Sequence, residues 1–250
     1  MARSSRPGRT GSRRLVGGLA SVLAIVVLAV LVSALTETNL LDALRGLTGG
    51  PGTSGQSGSG GSGQQAPAAA EAEEARERLA GIEVAVPDSR GDYEREEFGD
   101  GWIDTDDNGC STRNDVLARD LDAVTADADC KVVNGVLDDP YTGERIEFTS
   151  DDPQAVQIDH VVPLSLAWRM GADEWDRDRR VEFANDPGNL IAADGPANGQ
   201  KSDSGPGEWQ PRAEYRCSYA IRYIDVTHRY DLALASEDHD ALDDMLDTCA

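Results

Sequence analysis

The stretch Gln157-Ile158-Asp159-His160-Val161-Val162-Pro163-Leu164 decides the reading of this chain. An apolar run here delivers an adjacent carboxylate and imidazole. Asp159 is a hard oxygen ligand. His160 has a natural pKa near neutrality and suits a general base. Side chains alternate along a strand, so a regular strand would send the two apart. The sequence therefore predicts a bend after Ile158. Pro163 is consistent with it, because proline forbids a long regular strand.

Two later segments extend the motif. Asn185-Asp186-Pro187-Gly188-Asn189-Leu190-Ile191-Ala192 sets Asn189 behind turn-forming residues and ahead of a short apolar strand, Leu190 to Ala192. Asp194 then reads as a helix N-cap with Pro196 near the first position. That helix carries Asn198 and Lys201 one turn apart on one face. Asp159 and Asn198 offer oxygens that suit Mg²⁺ or Mn²⁺ better than zinc. Singly, each residue has a plainer reading: a structural Asp-His pair, a turn at Asn189, a helix start at Asn198, a Lys201–Asp203 ion pair. In this order, with Lys201 behind Asn198, the set points to metal-dependent phosphodiester hydrolysis.

These motifs resemble those of the HNH endonucleases, whose metal site is a two-stranded ribbon followed by a helix (the ββα-metal or His-Me finger). The resemblance is closest to actinobacterial HNH proteins related to the C-terminal domain of GmrSD-type restriction enzymes, and covers residues 76–250. The nuclease domain of the RNA-guided CRISPR effectors is similar in its Asp-His-(Ile/Val)-Val-Pro, Asn and Asn-x-x-Lys-Ser-Asp pattern. The third family letter is often His; Asn198 stands there in this chain and still offers a ligand oxygen. The resemblance implies an α+β domain with a ββα-metal core. His160 would be the general base, Asp159 and Asn198 would hold one divalent ion, and Asn189 would hold His160 in place. DNA, or RNA, would be the substrate. Arg113 becomes a candidate neighbour of the site, a surface ion pair being the plainer reading.

The rest of the chain bears on compartment. Residues 1–14 form a basic segment with five arginines and no acid, and residues 15–35 are apolar apart from Gly and Ser. That length spans a bilayer, with the arginines keeping the N-terminus inside. A signal peptide cleaved near Ala34 is the equal alternative. Either way the remainder is exported, as a membrane-anchored or a secreted domain. Residues 36–75 read as a Gly/Ser-rich and Ala/Glu-rich linker, ending in a helical stalk over residues 66–80, and residues 76–250 as the endonuclease domain. Four cysteines in an exported domain suggest disulfides. Of three pairings, Cys110–Cys130 and Cys217–Cys249 close the shortest loops and are favoured.

The net charge is −23, from 46 acidic and 23 basic residues. Such a surface should repel a polyanion. A local answer is the run 209–230, where Arg216 and Arg222, interleaved with Tyr215, Tyr219 and Tyr223, are candidates to meet the phosphate backbone together with Lys201. Arg177, Arg179 and Arg180 form a second cluster. Asp104, Asp106, Asn108 and Gly109 look like the start of a calcium loop, but its twelfth position is Asp115 where a glutamate is expected, and a solvated acidic turn is preferred. Two other function classes follow from these features: a catalytically silent HNH-like module binding an envelope partner, and an acidic calcium-tuned adhesion domain.

Elsewhere, periodicity predicts a helix over residues 110–125. Strands are expected over residues 131–136, 145–148 and 156–158, with turn chemistry at residues 139–143. Helices follow over 164–170, over 173–184 with Asp173 as cap, within 212–230, and over 241–246.

Overall fold

The computed structural model describes residues 69–89 and 91–249. The basic segment 1–14, the apolar segment 15–35 and most of the linker 36–75 lie outside the described residues. What is described is a mixed α+β domain with two disulfides.

The first helix, α1 (Ala69–Leu79), is not a free stalk. It buries Ala72, Ala75 and Leu79 against two later helices, α6 (Arg216–Arg229) and α7 (Ser236–Leu246). Two alanines and a leucine at helical spacing form this buried face. Val86, seven residues beyond this helix, is 89% exposed.

Helix α2 (Thr112–Asp120) stops short of its predicted end. The Leu121 amide caps back to the Leu117 carbonyl, and the chain turns into a strand, β1 (Asp122–Ala126). This strand has no buried face, so no alternation announces it. It pairs antiparallel with β2 (Val132–Asp138), which pairs antiparallel with β3 (Arg145–Thr149). Cys110–Cys130 ties the start of α2 to the β1–β2 turn, and Cys217–Cys249 ties α6 to the end of the described chain.

A separate two-stranded ribbon follows. Strand β4 (Val156–His160) pairs antiparallel with β5 (Leu190–Asp194), in the register Ile158↔Ala192, Asp159↔Ile191 and His160↔Leu190. The period of two separates two cores along this ribbon. Val156, Ile158 and Ala192 pack with Leu117, Leu121 and Phe148 in a small cluster, while Ile191 and Ala193 join the large one with Tyr219, Tyr223 and Leu242. Between the two ribbon strands lie α3 (Leu164–Arg169) and α4 (Arg177–Asn185). The cap of α4 is Asp176, not Asp173: its carboxylate accepts from the Arg179 amide at 2.9 Å. After β5, Asp194 caps α5 (Gly195–Lys201) by accepting from the Ala197 amide at 2.8 Å. Position 195 must be glycine, since a Cβ there would sit 2.0 Å from the Gln154 carbonyl oxygen.

The acidic turn at residues 104–109 closes on itself. Asp104 accepts from the amides of Asn108 and Gly109, and the Asn108 side-chain amide donates to both Asp106 and Asp115, where a cation would have to sit. Among the described residues no group of three or more His, Cys, Asp or Glu is arranged to hold a metal ion.

The 32-residue separation of Cys217 and Cys249 corresponds to about 3–4 kcal/mol in the chain-entropy view of cross-links. Replacing both by Ala should lower stability by about that amount in a denaturant titration, and an unchanged midpoint would show that the bridge contributes nothing.

Candidate active site

The expected bend after Ile158 is absent. Strand β4 runs through His160 in unbroken register, and the two functional side chains leave in different directions. Asp159 turns to Tyr141 and Lys201; His160 turns to Ala184 and Trp102. Both still line one groove of about 430 Å³, together with Asn198, Arg95, Ser165 and Asp203. The strand ends at that groove, so consecutive residues reach it from opposite faces.

Asp159 is 5% exposed and held on two sides. The Tyr141 hydroxyl donates to its Oδ2 at 2.6 Å, and the Lys201 ammonium lies 2.9 Å from the same atom and 3.2 Å from Oδ1. Lys201 is completely buried and also donates to the His160 carbonyl at 2.8 Å. It is therefore neither a surface contact for a phosphate nor the partner of Asp203. Tyr141 reaches Asp159 from the β2–β3 turn. Buried Asp139 organises that turn by accepting from the Thr142 amide and hydroxyl, and binds it to the ribbon by accepting from the Asp194 amide at 2.9 Å. Burial, and after it the Asp159 charge, pushes the Tyr141 hydroxyl well above its ordinary pKa, so it remains a donor.

His160 is fixed by a carbonyl. Its Nε2 lies 2.9 Å from the Ala184 oxygen. A carbonyl can only accept, so Nε2 carries the proton and Nδ1 keeps its lone pair. The Trp102 ring stacks on the imidazole at 5.6 Å with 14° between planes. Burial pulls the His160 pKa down to about 3, against the Ala184 carbonyl, which raises it; the Arg95 and Lys201 charges lower it further. The ring is thus neutral at physiological pH.

Asn189 is fully buried and joins the two ribbon strands beyond His160. Its carbonyl accepts from Val161, its side-chain oxygen accepts from the Val162 amide at 2.8 Å, and its side-chain nitrogen donates to the Val162 carbonyl. Asn198 is half-buried on α5 and donates its amide nitrogen to Gln157 Oε1 at 2.9 Å, leaving its own oxygen unspent.

The arginines expected to meet substrate are elsewhere. Arg222 donates to the carbonyls of Gly188, Pro187 and Leu190, gripping the loop that carries Asn189. Arg216 reaches the Pro211 carbonyl. Tyr215, Tyr219 and Tyr223 are core residues, so no aromatic-basic surface exists there. Arg177, Arg179 and Arg180 pair with Asp100, Asp231 and Glu97. Arg113 lies over the Phe148 ring and does not line the groove. Sequence reading missed Tyr141, Trp102 and Arg95, whose positions carry no local signal beyond turn composition.

Two measurements check this geometry. Imidazole nitrogen shifts should show the Nε2–H tautomer of His160 and no titration near pH 6.5; a midpoint there would contradict the buried neutral ring. Because the folded pKa lies below the unfolded 6.5, this group's stabilising effect is complete above about pH 6.5 and is lost as pH falls toward 3. Separately, Lys201→Met strips Asp159 of its buried cation. Breaking such a pair costs about 3–5 kcal/mol, and thermal unfolding at neutral pH should show a loss of that order.

Comparison with known proteins places the chain. Residues 111–245 match the family described as GmrSD restriction endonucleases, C-terminal domain. An uncharacterized secreted protein of Arthroderma benhamiae is 40% identical over 174 residues, covering 68% of this chain and 82% of that protein. No solved structure matches. Both the matched span, which takes in every residue of the groove motif from Asp159 to Lys201, and the motif itself lead to one conclusion: the chain belongs to the family of the C-terminal domain of GmrSD restriction endonucleases.

Proposed function

We propose that this protein is an exported, metal-dependent HNH endonuclease that hydrolyses phosphodiester bonds of DNA, with RNA as the second substrate class. The observation that carries the reading is the meeting of Asp159, His160 and Asn198 in one groove, on a ribbon, β4–β5, followed directly by helix α5. We read that unit as a ββα-metal core.

The donor set fits a hard divalent cation. Asn198 spends its nitrogen on Gln157 and keeps its oxygen. An ionised carboxylate has about four lone-pair sites, more than Tyr141 and Lys201 occupy at Asp159. Asp159 and Asn198 would hold Mg²⁺ or Mn²⁺, ions that keep several waters when protein ligands are few. When bound, such an ion relieves negative charge on the scissile phosphate and the departing oxygen. His160 supplies the base. Its Nδ1 lone pair takes a proton from the attacking water, and the anionic phosphate beside it raises its basicity. Asn189 keeps the backbone after His160 in register, so the ring meets the water in one orientation.

Export is supported by the apolar residues 15–35 behind five arginines, by two disulfides, and by the fungal relative's description as secreted. Residues 15–35 would anchor the domain outside the membrane or be removed near Ala34, with residues 36–75 as tether and 76–250 as the nuclease. The net charge of −23 favours a second reading, a catalytically silent module that binds an envelope partner.

A plasmid-nicking assay with Mg²⁺ or Mn²⁺, and with chelator, separates the two. The wild type should nick only with metal. His160→Ala should lose roughly 10²–10⁴-fold in rate, the usual contribution of a general base, with Mn²⁺ affinity retained. Asp159→Ala and Asn198→Ala should lose both rate and Mn²⁺ affinity by calorimetric titration. Full activity in His160→Ala removes the base assignment; an inert wild type with either ion leaves the silent module.

A further inference from the structure

Resting on that reading, we propose that Arg95 is the residue that grips the substrate phosphate in the groove. Among the described residues that line it, Arg95 is the one cationic side chain. Lys201 lies beneath, fully buried and bound to Asp159. A phosphodiester entering to reach His160 meets Arg95 at the wall.

The arginine is exposed but stands on a rigid base. It opens a 3₁₀ turn, Arg95–Phe98, whose last residue is 2% exposed. The Phe98 ring packs edge-on against Trp168 at 6.3 Å and tilted against Phe183 at 6.0 Å. Glu97 in the same turn holds α4 through Arg180, whose Nη2 lies 3.0 Å from the carboxylate and whose Nε donates to the Glu97 carbonyl. The backbone under Arg95 is thus clamped, while the residue lines the groove.

Arg95 is also unspent. It has no hydrogen bond and no ion pair among the described residues, although Glu94, Glu96 and Glu97 flank it in sequence. Several other arginines are committed: Arg119 to Asp120, Arg212 to Glu214, Arg229 to Asp186, Arg222 to three carbonyls. In a chain with twice as many acids as bases, a guanidinium left without a carboxylate in the groove of the candidate base is a seat for an anion. Its planar fork matches two oxygens of a phosphate, which an ammonium cannot do.

The test compares wild type, Arg95→Ala, Arg95→Lys and Arg212→Ala, an exposed arginine outside the groove, in steady-state nicking of plasmid DNA. Mn²⁺ titration and thermal melting are run on each. Charge-assisted hydrogen bonds contribute enough that Arg95→Ala should lose roughly tenfold or more in kcat/KM, with part recovered in Arg95→Lys. Arg212→Ala, Mn²⁺ affinity and melting should be unchanged. The salt dependence of kcat/KM in Arg95→Ala should flatten by about one phosphate contact. Unchanged kcat/KM in Arg95→Ala, while His160→Ala abolishes nicking, overturns this inference and leaves the nuclease reading intact. A loss matched by weaker Mn²⁺ binding also overturns it, since Arg95 would then act through the ion. A wild type that nicks with neither ion overturns both.

Discussion

The buried pair of Lys201 and Asp159 is the constraint from which the rest of the site follows. A fully enclosed ammonium survives only beside an ionised partner with its other protons satisfied, and Asp159 and the His160 carbonyl supply both needs. This joins three segments distant in sequence: β4, α5 and, through Tyr141, the β2–β3 turn. None can move without exposing a half-satisfied charge. Replacing such a pair by apolar residues is often neutral or stabilising, so stability alone does not account for it. It sets the direction of one carboxylate at the mouth of a groove, the kind of fixed orientation that a binding or catalytic group requires.

The second constraint is the loop before β5. Asn189 must hold the backbone after His160 from a loop that contains Pro187 and Gly188, which has little regular structure of its own. Its free carbonyls are collected by two guanidiniums: Arg119 donates to those of Pro187 and Leu190, and Arg222 to those of Gly188, Pro187 and Leu190. Asp120 offsets Arg119 and also accepts from the Ala192 amide. Asp186 caps the loop from the other side, accepting from the Gly188 amide, Arg229 and Tyr230. Much of the chain's limited positive charge is therefore spent as scaffold.

Much of this was legible in sequence. The order of Asp159, His160, Asn189 and Asn198 fixes where the ribbon and its helix lie, because each segment also carries local signals: an apolar strand, a Pro-Gly turn, an Asp-Pro helix start. The helices α3 and α6 and the strands β2 and β3 follow from periodicity and turn residues. Local rules failed where tertiary contacts decide. Strand β1 exposes both faces, so its residues read as a continuation of α2. Asp173 reads as the α4 cap in sequence, but it lies in a short 3₁₀ turn and the helix starts only after Asp176. The bend after Ile158 was inferred to bring two neighbours to one site, whereas the site comes to the end of the strand. Arg222 and Lys201 looked like phosphate ligands because charge says nothing of burial. Tyr141, Trp102 and Arg95 arrive from segments 19 to 65 residues away, beyond any local pattern.

The acidic exterior and a nucleic-acid substrate are compatible on one condition: the repulsion must be long-ranged and the attraction short-ranged. Exposed charges lose most of their reach beyond about 8–10 Å at ordinary ionic strength, so a phosphodiester at the groove is governed by its immediate lining. There the charges nearly balance before any cation binds, with Lys201 beneath Asp159 and both Arg95 and Asp203 in the lining. A divalent ion at Asp159 and Asn198 would then turn the groove into a small positive hole in a negative surface. Such a surface slows approach without weakening the final contact, a division of labour between on-rate and site affinity. A nuclease with such a surface would be slow to find its substrate in dilute buffer and least hindered in a salty exterior.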